Sequence, residues 1–434
     1  MNIPPLTQIS ILAIEILATL LQGCGTIATS SQPSQGSTVL TLSGSGGINH
    51  PSVVTRPYVV LVSLDGFHPD YLGRFDTPAF DQLTRTGVIA DGLISVFPSL
   101  TFPSHYSIAT GLYPERHGIV GNRFHDPTRG EDFNYRDQDD VQDGTWWKGE
   151  PIWVTAERQG MVTASVFFPG TQAAIKNVYP TYWRPYNSRL PNTKRVEQVI
   201  EWLQAPASER PHLIMVYFSI VDSVGHRDGP NGPEIRSAVT SVDRLLGQLM
   251  NTIEQLPYGP NVYLVVTSDH GMAVVDPERQ VVISDIINLD GIRAIPTGPG
   301  MNLYLEGDAE HSRWLRDTFN RRTNLATAFL RQEVPDYLHY RASQRIGDVV
   351  ILPEEGASVS FSQSAPPMGM HGWDPNLTSM HGIFLMRGPT ISPSQHIQAF
   401  ENIHIYPLLA QILELEPAAE IDGQIDVLRT LLEN

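Results

Sequence analysis

Residues 58–67 read YVVLVSLDGF. A near-continuous apolar, β-branched run this short suits a strand buried on both faces of a parallel sheet. Two later runs follow the same plan: LIMVYFS (213–219) and VYLVVT (262–267). Helical patterns lie between them. The clearest covers 233–256, where Ile235, Val239, Val242, Leu246, Leu249 and Ile253 recur every three or four residues. Residues 195–204 (RVEQVIEWLQ) repeat the pattern. Strands alternating with helices predict a doubly wound α/β fold, with a mainly parallel sheet and helices on both faces. The stretch 291–366 is less regular and richer in Arg, and reads as an insertion or smaller cap on that core.

Composition narrows the function. Among 434 residues there are 29 Lys and Arg against 46 Asp and Glu, a net charge of −17. Only Lys148, Lys176 and Lys194 are lysines. An acidic chain with no basic run is not built to displace counterions from a nucleic-acid polymer. The single cysteine, Cys24, excludes a disulfide scaffold. It follows an apolar run at 9–21 (ISILAIEILATLL), too short to span a bilayer, in the context Leu21-Gln22-Gly23-Cys24. This resembles a bacterial lipoprotein signal. The expectation is an exported protein, periplasmic or held to the membrane by a lipid on Cys24. Residues 1–24 then read as signal peptide, 25–50 as a flexible Ser/Gly/Thr linker, and 51–434 as the domain proper, with its insertion near 291–366.

All three apolar runs end at or near a carboxylate: Asp65 after the first, Asp222 after the second, Asp269 after the third. Parallel strands share one carboxyl edge, where ligands bind. Three carboxylates gathered there repel one another and call for a cation. Imidazoles stand at ligand spacing: His226 lies four residues after Asp222, and His270 directly follows Asp269. Asp and His without cysteine suit Zn²⁺ or Mn²⁺. The donors outnumber what one tetrahedral ion takes, which implies two metals. His371 and His381 both stand in Met-His-Gly, so spacing leaves both open. His68, His105 and His117 read as hydrogen-bonded structural residues.

Thr101 sits between Pro98 and Pro103, before an expected helix at 104–110. A hydroxyl at a helix N-terminus meets backbone N–H donors and the positive end of the dipole, an environment that stabilises an alkoxide and binds phosphate oxygens. Its own acidity is too low for reaction near neutral pH, so it needs metal activation.

At this point the chain resembles the nucleotide pyrophosphatase/phosphodiesterase family of the alkaline phosphatase superfamily. The matching blocks, in the family's order, are LVSLDGF (61–67), TFPSHYSIATGLYPERHGIVGN (101–122), GEPIWVTAERQG (149–160), PGTQAAIK (169–176), VDSVGHRDGP (221–230), TSDHGM (267–272) and MHGWDP (370–375). The resemblance implies two zinc sites. One takes Asp222, His226 and His371; the other takes Asp65, Asp269, His270 and the Thr101 oxygen. It selects His371 over His381, because the family's histidine precedes Gly-x-Asp. It implies that Asn122 holds a phosphate oxygen and that Phe102 and Tyr186 sandwich a nucleobase. Trp183 and Trp373 are further candidates for the pocket wall.

The reaction so implied is hydrolysis of a small-molecule phosphodiester or pyrophosphate, such as a nucleotide, with Thr101 as nucleophile. Three carboxylates and an alkoxide balance two divalent ions, and the nucleophile block has no Arg or Lys before Arg116. That charge count favours diesters over dianionic monoesters. The competing readings are a phosphodiesterase acting on lysophospholipid or glycerophosphodiester headgroups, a phosphomonoesterase of the same superfamily, and an inactive metal-binding surface lipoprotein.

Overall fold

The apolar run Tyr58–Leu64 is a strand, buried at every position. Its side chains alternate between two cores. Val59 and Leu61 enter one; Val60, Val62 and Leu64 enter the other. In the computed structural model, which describes residues 40–41, 47–305 and 308–433, this strand is the middle of a nine-stranded sheet.

In chain order the strands are β1 (Leu40–Thr41), β2 (Tyr58–Leu64), β3 (Val88–Ala90), β4 (Thr163–Val166), β5 (Tyr182–Trp183), β6 (Leu213–Phe218), β7 (Val262–Thr267), β8 (Phe384–Arg387) and β9 (Gln395–Ile397). Across the sheet they lie β1-β5-β4-β6-β2-β7-β8-β3-β9. The five from β5 to β7 run parallel. β8 runs against both its neighbours, and β1 is antiparallel at the edge.

The longer helices are α1 (Pro78–Thr86), α2 (Thr101–Thr110), α3 (Ile152–Arg158), α4 (Asn192–Leu203), α5 (Ile220–Asp228), α6 (Ile235–Gln255), α7 (Ala309–Arg322) and α8 (Ile405–Ile412). α2, α3 and α8 bury their apolar sides in one core, through residues such as Ile108, Trp153 and Leu408. α1, α4 and α6 cover the other face of the sheet, through Phe80, Val199 and Leu246. All six periodic residues of α6 are buried. The fold is therefore α/β with helices on both faces, as the sequence pattern implies.

The irregular stretch after residue 291 builds a second sheet of four antiparallel strands: Arg293–Thr297, Gly300–Tyr304, Val349–Pro353 and Ala326–Leu330. It has its own core, in which Leu315 and Phe319 of α7 pack on Met301, Leu303 and Ile351. It grips the segment that leads to Asn122. The Tyr340 hydroxyl donates to the Val120 carbonyl at 2.7 Å. Arg345 donates to the carbonyls of Gly118 (2.9 Å) and Trp146 (2.6 Å) and pairs with Asp126 at 2.8 Å.

The run at 9–21 and Cys24 lie outside the described residues. The stretch read as a linker as far as residue 50 departs from that reading where it is described. Leu40 and Thr41 pair with β5. Asn49 is 2% exposed, and its side chain bonds to Arg210, Ala207 and Val162. An Asx side chain that satisfies three backbone groups pins the chain there; polar composition alone does not show this.

Arg345 and Asp126 are both buried, so removing one strands the other as an uncompensated charge. Arg345→Met is expected to lower the unfolding free energy by about 3 kcal/mol, read as a lower urea midpoint. Adding Asp126→Asn recovers part of that loss, because no charge is left unpaired.

Candidate active site

The floor of the site follows from strand register. Ser63 of β2 lies opposite Tyr217 of β6 and Thr267 of β7, so the three strands finish together. Asp65 comes one residue after β2, Asp269 two residues after β7, and Asp222 in the first turn of α5. Gly66 lets α5 start hard against β2. Its φ is +68°, and a Cβ there would fall 2.9 Å from the Asp222 Cα. The Asp222 amide then donates to the Asp65 carbonyl at 3.0 Å.

Two donor groups result: Asp65, Asp269 and His270, and Asp222, His270 and His371, with the ligand atoms of each within 4.8 Å of one another. His270 Nε2 lies 3.4 Å from Asp65 Oδ1 and 3.1 Å from Asp269 Oδ2. Asp222 Oδ1 lies 3.3 Å from His226 Nε2 and 3.4 Å from His371 Nε2. His226 is one helical turn after Asp222, on the same face of α5. His270 stacks on His371 with ring centroids 3.5 Å apart, which puts it within reach of both groups; the resemblance assigned it to one.

The three imidazoles share one second-layer device. Nδ1 of His226, His270 and His371 lies at hydrogen-bond distance from the carbonyls of Gly369 (2.8 Å), Gly271 (2.9 Å) and Ser99 (2.7 Å). A ring that donates from Nδ1 presents a lone pair at Nε2. Nε2 of His226 and of His371 face each other at 3.1 Å, two lone pairs that a shared cation satisfies. Asp65 Oδ1, Asp222 Oδ1, Asp269 Oδ2 and His270 Nε2 are buried without a hydrogen-bond partner. Four orphaned acceptors in a carboxylate–imidazole set fit divalent metal ions.

The crowding also shifts how these groups titrate, with protons competing for the positions a cation would take. Burial, then the charges of Asp269 and Asp222, hold the Asp65 carboxyl well above the ordinary carboxylate range. Burial also pushes Asp222 and Asp269 up, but the imidazoles beside them outweigh it and leave both below that range. Burial lowers His226 and His270, and their carboxylate partners raise them past it. His371 is pushed down to about 4, by burial and then by His270.

Two supports were not legible as site residues. The Tyr217 phenol donates to Asp65 Oδ2. His105, read as structural, has Nδ1 3.2 Å from Asp269 Oδ2 and 2.8 Å from the Thr101 carbonyl, with Nε2 2.7 Å from Ser63 Oγ. It ties α2 to β2 and to Asp269. A histidine four residues after Thr101 on one helix was the available signal; a tyrosine inside an apolar strand gives none.

Thr101 is the first residue of α2, earlier than the helix start expected at 104. Pro103 fits the first turn because it has no N–H to leave unpaired. Asn122 Oδ1 accepts from the Phe102 amide at 2.9 Å. Only the carbonyl oxygen can accept there, so the Asn122 NH₂ is left as a donor. Both side chains line a cavity of about 510 Å³ whose other walls include Asp65, Asp222, His226 and His371.

Phe102 and Tyr186 are on that cavity too. Phe102 packs on Tyr135 (5.5 Å between centroids) and Trp147 (5.9 Å). Tyr186 is 38% exposed and packs edge-on to Phe167 at 5.2 Å. Trp183 and Trp373 do not line the cavity: Trp183 stacks on Tyr179, and Trp373 is buried with its indole N–H on the Ala357 carbonyl. Two cations do line it, Arg136 and Arg184. The absence of cations in the nucleophile block therefore does not describe the folded cavity, and the charge argument for diesters loses its premise. Both arginines come from segments remote in sequence.

A parallel sheet with this donor set at its carboxyl edge, and a helix-start hydroxyl beside it, defines a metal-dependent hydrolase of the α/β class. Residues 59–374 match the model of the type I phosphodiesterase/nucleotide pyrophosphatase family, and the chain belongs to that family of phosphodiester hydrolases, within the alkaline phosphatase superfamily. It is 34% identical over 393 residues to an uncharacterised pyrophosphatase/phosphodiesterase of Schizosaccharomyces pombe, covering 87% of this chain and 81% of that one. It is 32% identical over 413 residues to venom phosphodiesterase 2 of Crotalus adamanteus, covering 90% of this chain but 49% of the venom protein. The chain thus spans about half the length of that relative. The structure of murine ectonucleotide pyrophosphatase/phosphodiesterase 5, as an inactive threonine-to-alanine form in complex with AMP, matches with a TM-score of 0.82 and 30% identity over 87% of this chain and 100% of that one.

Without metal, the crowded carboxylates oppose folding. Asp65→Asn removes the most strained charge and keeps an acceptor for Tyr217. In chelated protein this change is expected to raise stability by about 1–2 kcal/mol, and the unsubstituted chain, unlike the variant, is expected to gain stability when a divalent ion such as zinc is added. Thermal melts with EDTA and with added zinc check both.

Proposed function

We propose that the chain is a two-zinc phosphodiesterase and nucleotide pyrophosphatase that works through a threonyl-phosphate ester. The observation that carries this reading is the set of orphaned Asp and His acceptors beside the helix-start hydroxyl of Thr101. Asp65, Asp269 and His270 would hold one ion, and Asp222, His226 and His371 the other, with His270 within reach of both. When bound, the ions supply Lewis-acid activation of a hydroxyl and neutralise charge on the leaving oxygen.

The chain's own residues do the rest. Thr101 Oγ adds to phosphorus in line, the bond to the leaving oxygen breaks, and water then cleaves the threonyl ester. The Asn122 NH₂ and the positive end of α2 hold charge on the non-bridging oxygens. His105 fixes the first turn of α2 against Asp269, so the attacking oxygen and the donor set keep one geometry. Phe102 and Tyr186 offer aromatic faces for a base. The murine relative crystallised with AMP, whose inactivating change is threonine to alanine, supports both the nucleophile and the nucleotide.

Thr101→Ala is expected to lower kcat on an aryl phosphodiester by about a thousandfold or more, with zinc still bound at two per chain. Undiminished turnover in that variant overturns the nucleophile. Chelation should abolish diester hydrolysis, and zinc should restore it, with aryl phosphomonoester and aryl sulfate hydrolysed far more slowly.

A further inference from the structure

We propose that Arg136 and Arg184 form an anion subsite at the mouth of the cavity, which takes a phosphate of the substrate beyond the one that reacts. The inference rests on the proposed function and deepens it. It names as preferred substrates those nucleotides whose leaving half carries further phosphate charge.

The cavity has two unlike ends. Of its metal-donor side chains Asp65, Asp269, His270 and His371 are buried and Asp222 and His226 are half-buried, whereas Arg136 and Tyr186 are exposed. Two divalent ions would match the three carboxylates and a Thr101 alkoxide at the floor, so a cation at the mouth would not be needed for that balance. Yet two arginines are there, and neither makes a carboxylate ion pair among the described residues. In a chain with 46 acidic residues, most buried or half-buried arginines find one, as Arg345 finds Asp126 and Arg331 finds Asp348.

Arg184 is half-buried and held by a neutral partner. One terminal nitrogen donates to Gln198 Oε1 at 2.5 Å. Gln198 in turn gives its own NH₂ to Glu201 at 2.9 Å, so the nearest carboxylate is spent one residue away. Arg184 Nε is buried with no partner at all. A guanidinium placed like this carries an unmet donor and an uncompensated charge, which an anion relieves.

Arg136 is anchored through its stem. Its Nε donates to the Tyr135 hydroxyl at 3.0 Å, and the guanidinium lies 5.3 Å from that ring. Among the described residues its terminal nitrogens have no hydrogen-bond partner, and the residue lines the cavity. Tyr135 packs on Phe102, and Arg184 stands two residues before Tyr186. Each aromatic wall thus carries its own cation. A base held between the walls and a phosphorus beside Thr101 leave the remaining phosphates of a nucleoside triphosphate within the arginines' zone. A simple aryl ester has nothing to place there.

The test compares ATP with thymidine 5′-(p-nitrophenyl phosphate), whose leaving group carries no phosphate, in the zinc-loaded protein. In Arg136→Gln and in Arg184→Gln the ratio of kcat/KM for ATP over that for the ester is expected to fall about tenfold. The fall should lie mainly in KM. Arg184→Lys should recover most of it. Calorimetry on Thr101→Ala protein gives a second readout: adding Arg184→Gln should weaken ATP binding more than AMP binding. A ratio within twofold of the wild-type value, with the wild type still hydrolysing the ester, overturns the subsite alone. Equal losses on both substrates also overturn it, because the arginines then serve the reacting phosphate or the fold. Wild-type turnover of neither substrate overturns the function on which the subsite rests, and the subsite with it.

Discussion

Everything at this site depends on one repulsion. Asp65, Asp222 and Asp269 are brought to the carboxyl edge of the sheet by strands that end in register, and each is largely or wholly removed from water. No arrangement of neutral residues would hold three such charges together at low cost. The fold contains the repulsion partly with imidazoles and partly with directed hydrogen bonds, and leaves four acceptors without a partner. Strand register, the glycine after Asp65 and the start of α5 all serve to keep those acceptors aimed inward.

The second layer makes that aim durable. Three backbone carbonyls fix three imidazoles so that the same ring nitrogen always faces the site. Tyr217 and His105 steady two of the carboxylates from behind. Helix α2, which begins at Thr101, is tied in by His105 on one side and by Asn122 on the other, and Asn122 follows directly on the segment that the 293–353 insertion grips. The position of one hydroxyl is thus set by contacts that reach across most of the domain.

Much of this was legible in the sequence, and the reason is locality. Apolar runs of six or seven residues identify buried parallel strands, and parallel strands imply a shared edge, so the convergence of Asp65, Asp222 and Asp269 follows from periodicity alone. The pairing of His226 with Asp222 is one helical turn. What stayed hidden depends on contacts between distant segments. Nothing about Arg136 or Arg184 marks them for a cavity whose floor lies elsewhere in the chain, and a charge count restricted to one block missed them. Tyr217 looks like any strand aromatic until its hydroxyl is seen on Asp65. Trp183 and Trp373 look like wall residues because tryptophan often is one, but each is buried elsewhere. Asn49 looks like linker because its neighbours are Ser, Gly and Ile, whereas its side-chain amide bonds to three backbone groups in two distant segments, at Val162 and at Ala207 and Arg210.

The floor and the walls of the cavity belong to different parts of the architecture. The floor is made by residues just beyond β2, β6 and β7, where any shift in register would misplace several donors at once. The walls come from the connections around 135–138, 167–172 and 184–186: the first follows a separate two-stranded hairpin, and the other two follow β4 and β5. Such a division separates the capacity to react from the choice of what reacts. Loops at the rim are free to change length, charge or aromatic content while the strand ends stay as they are, so one invariant chemistry can be offered to nucleotides, lipids or other esters by editing the periphery alone.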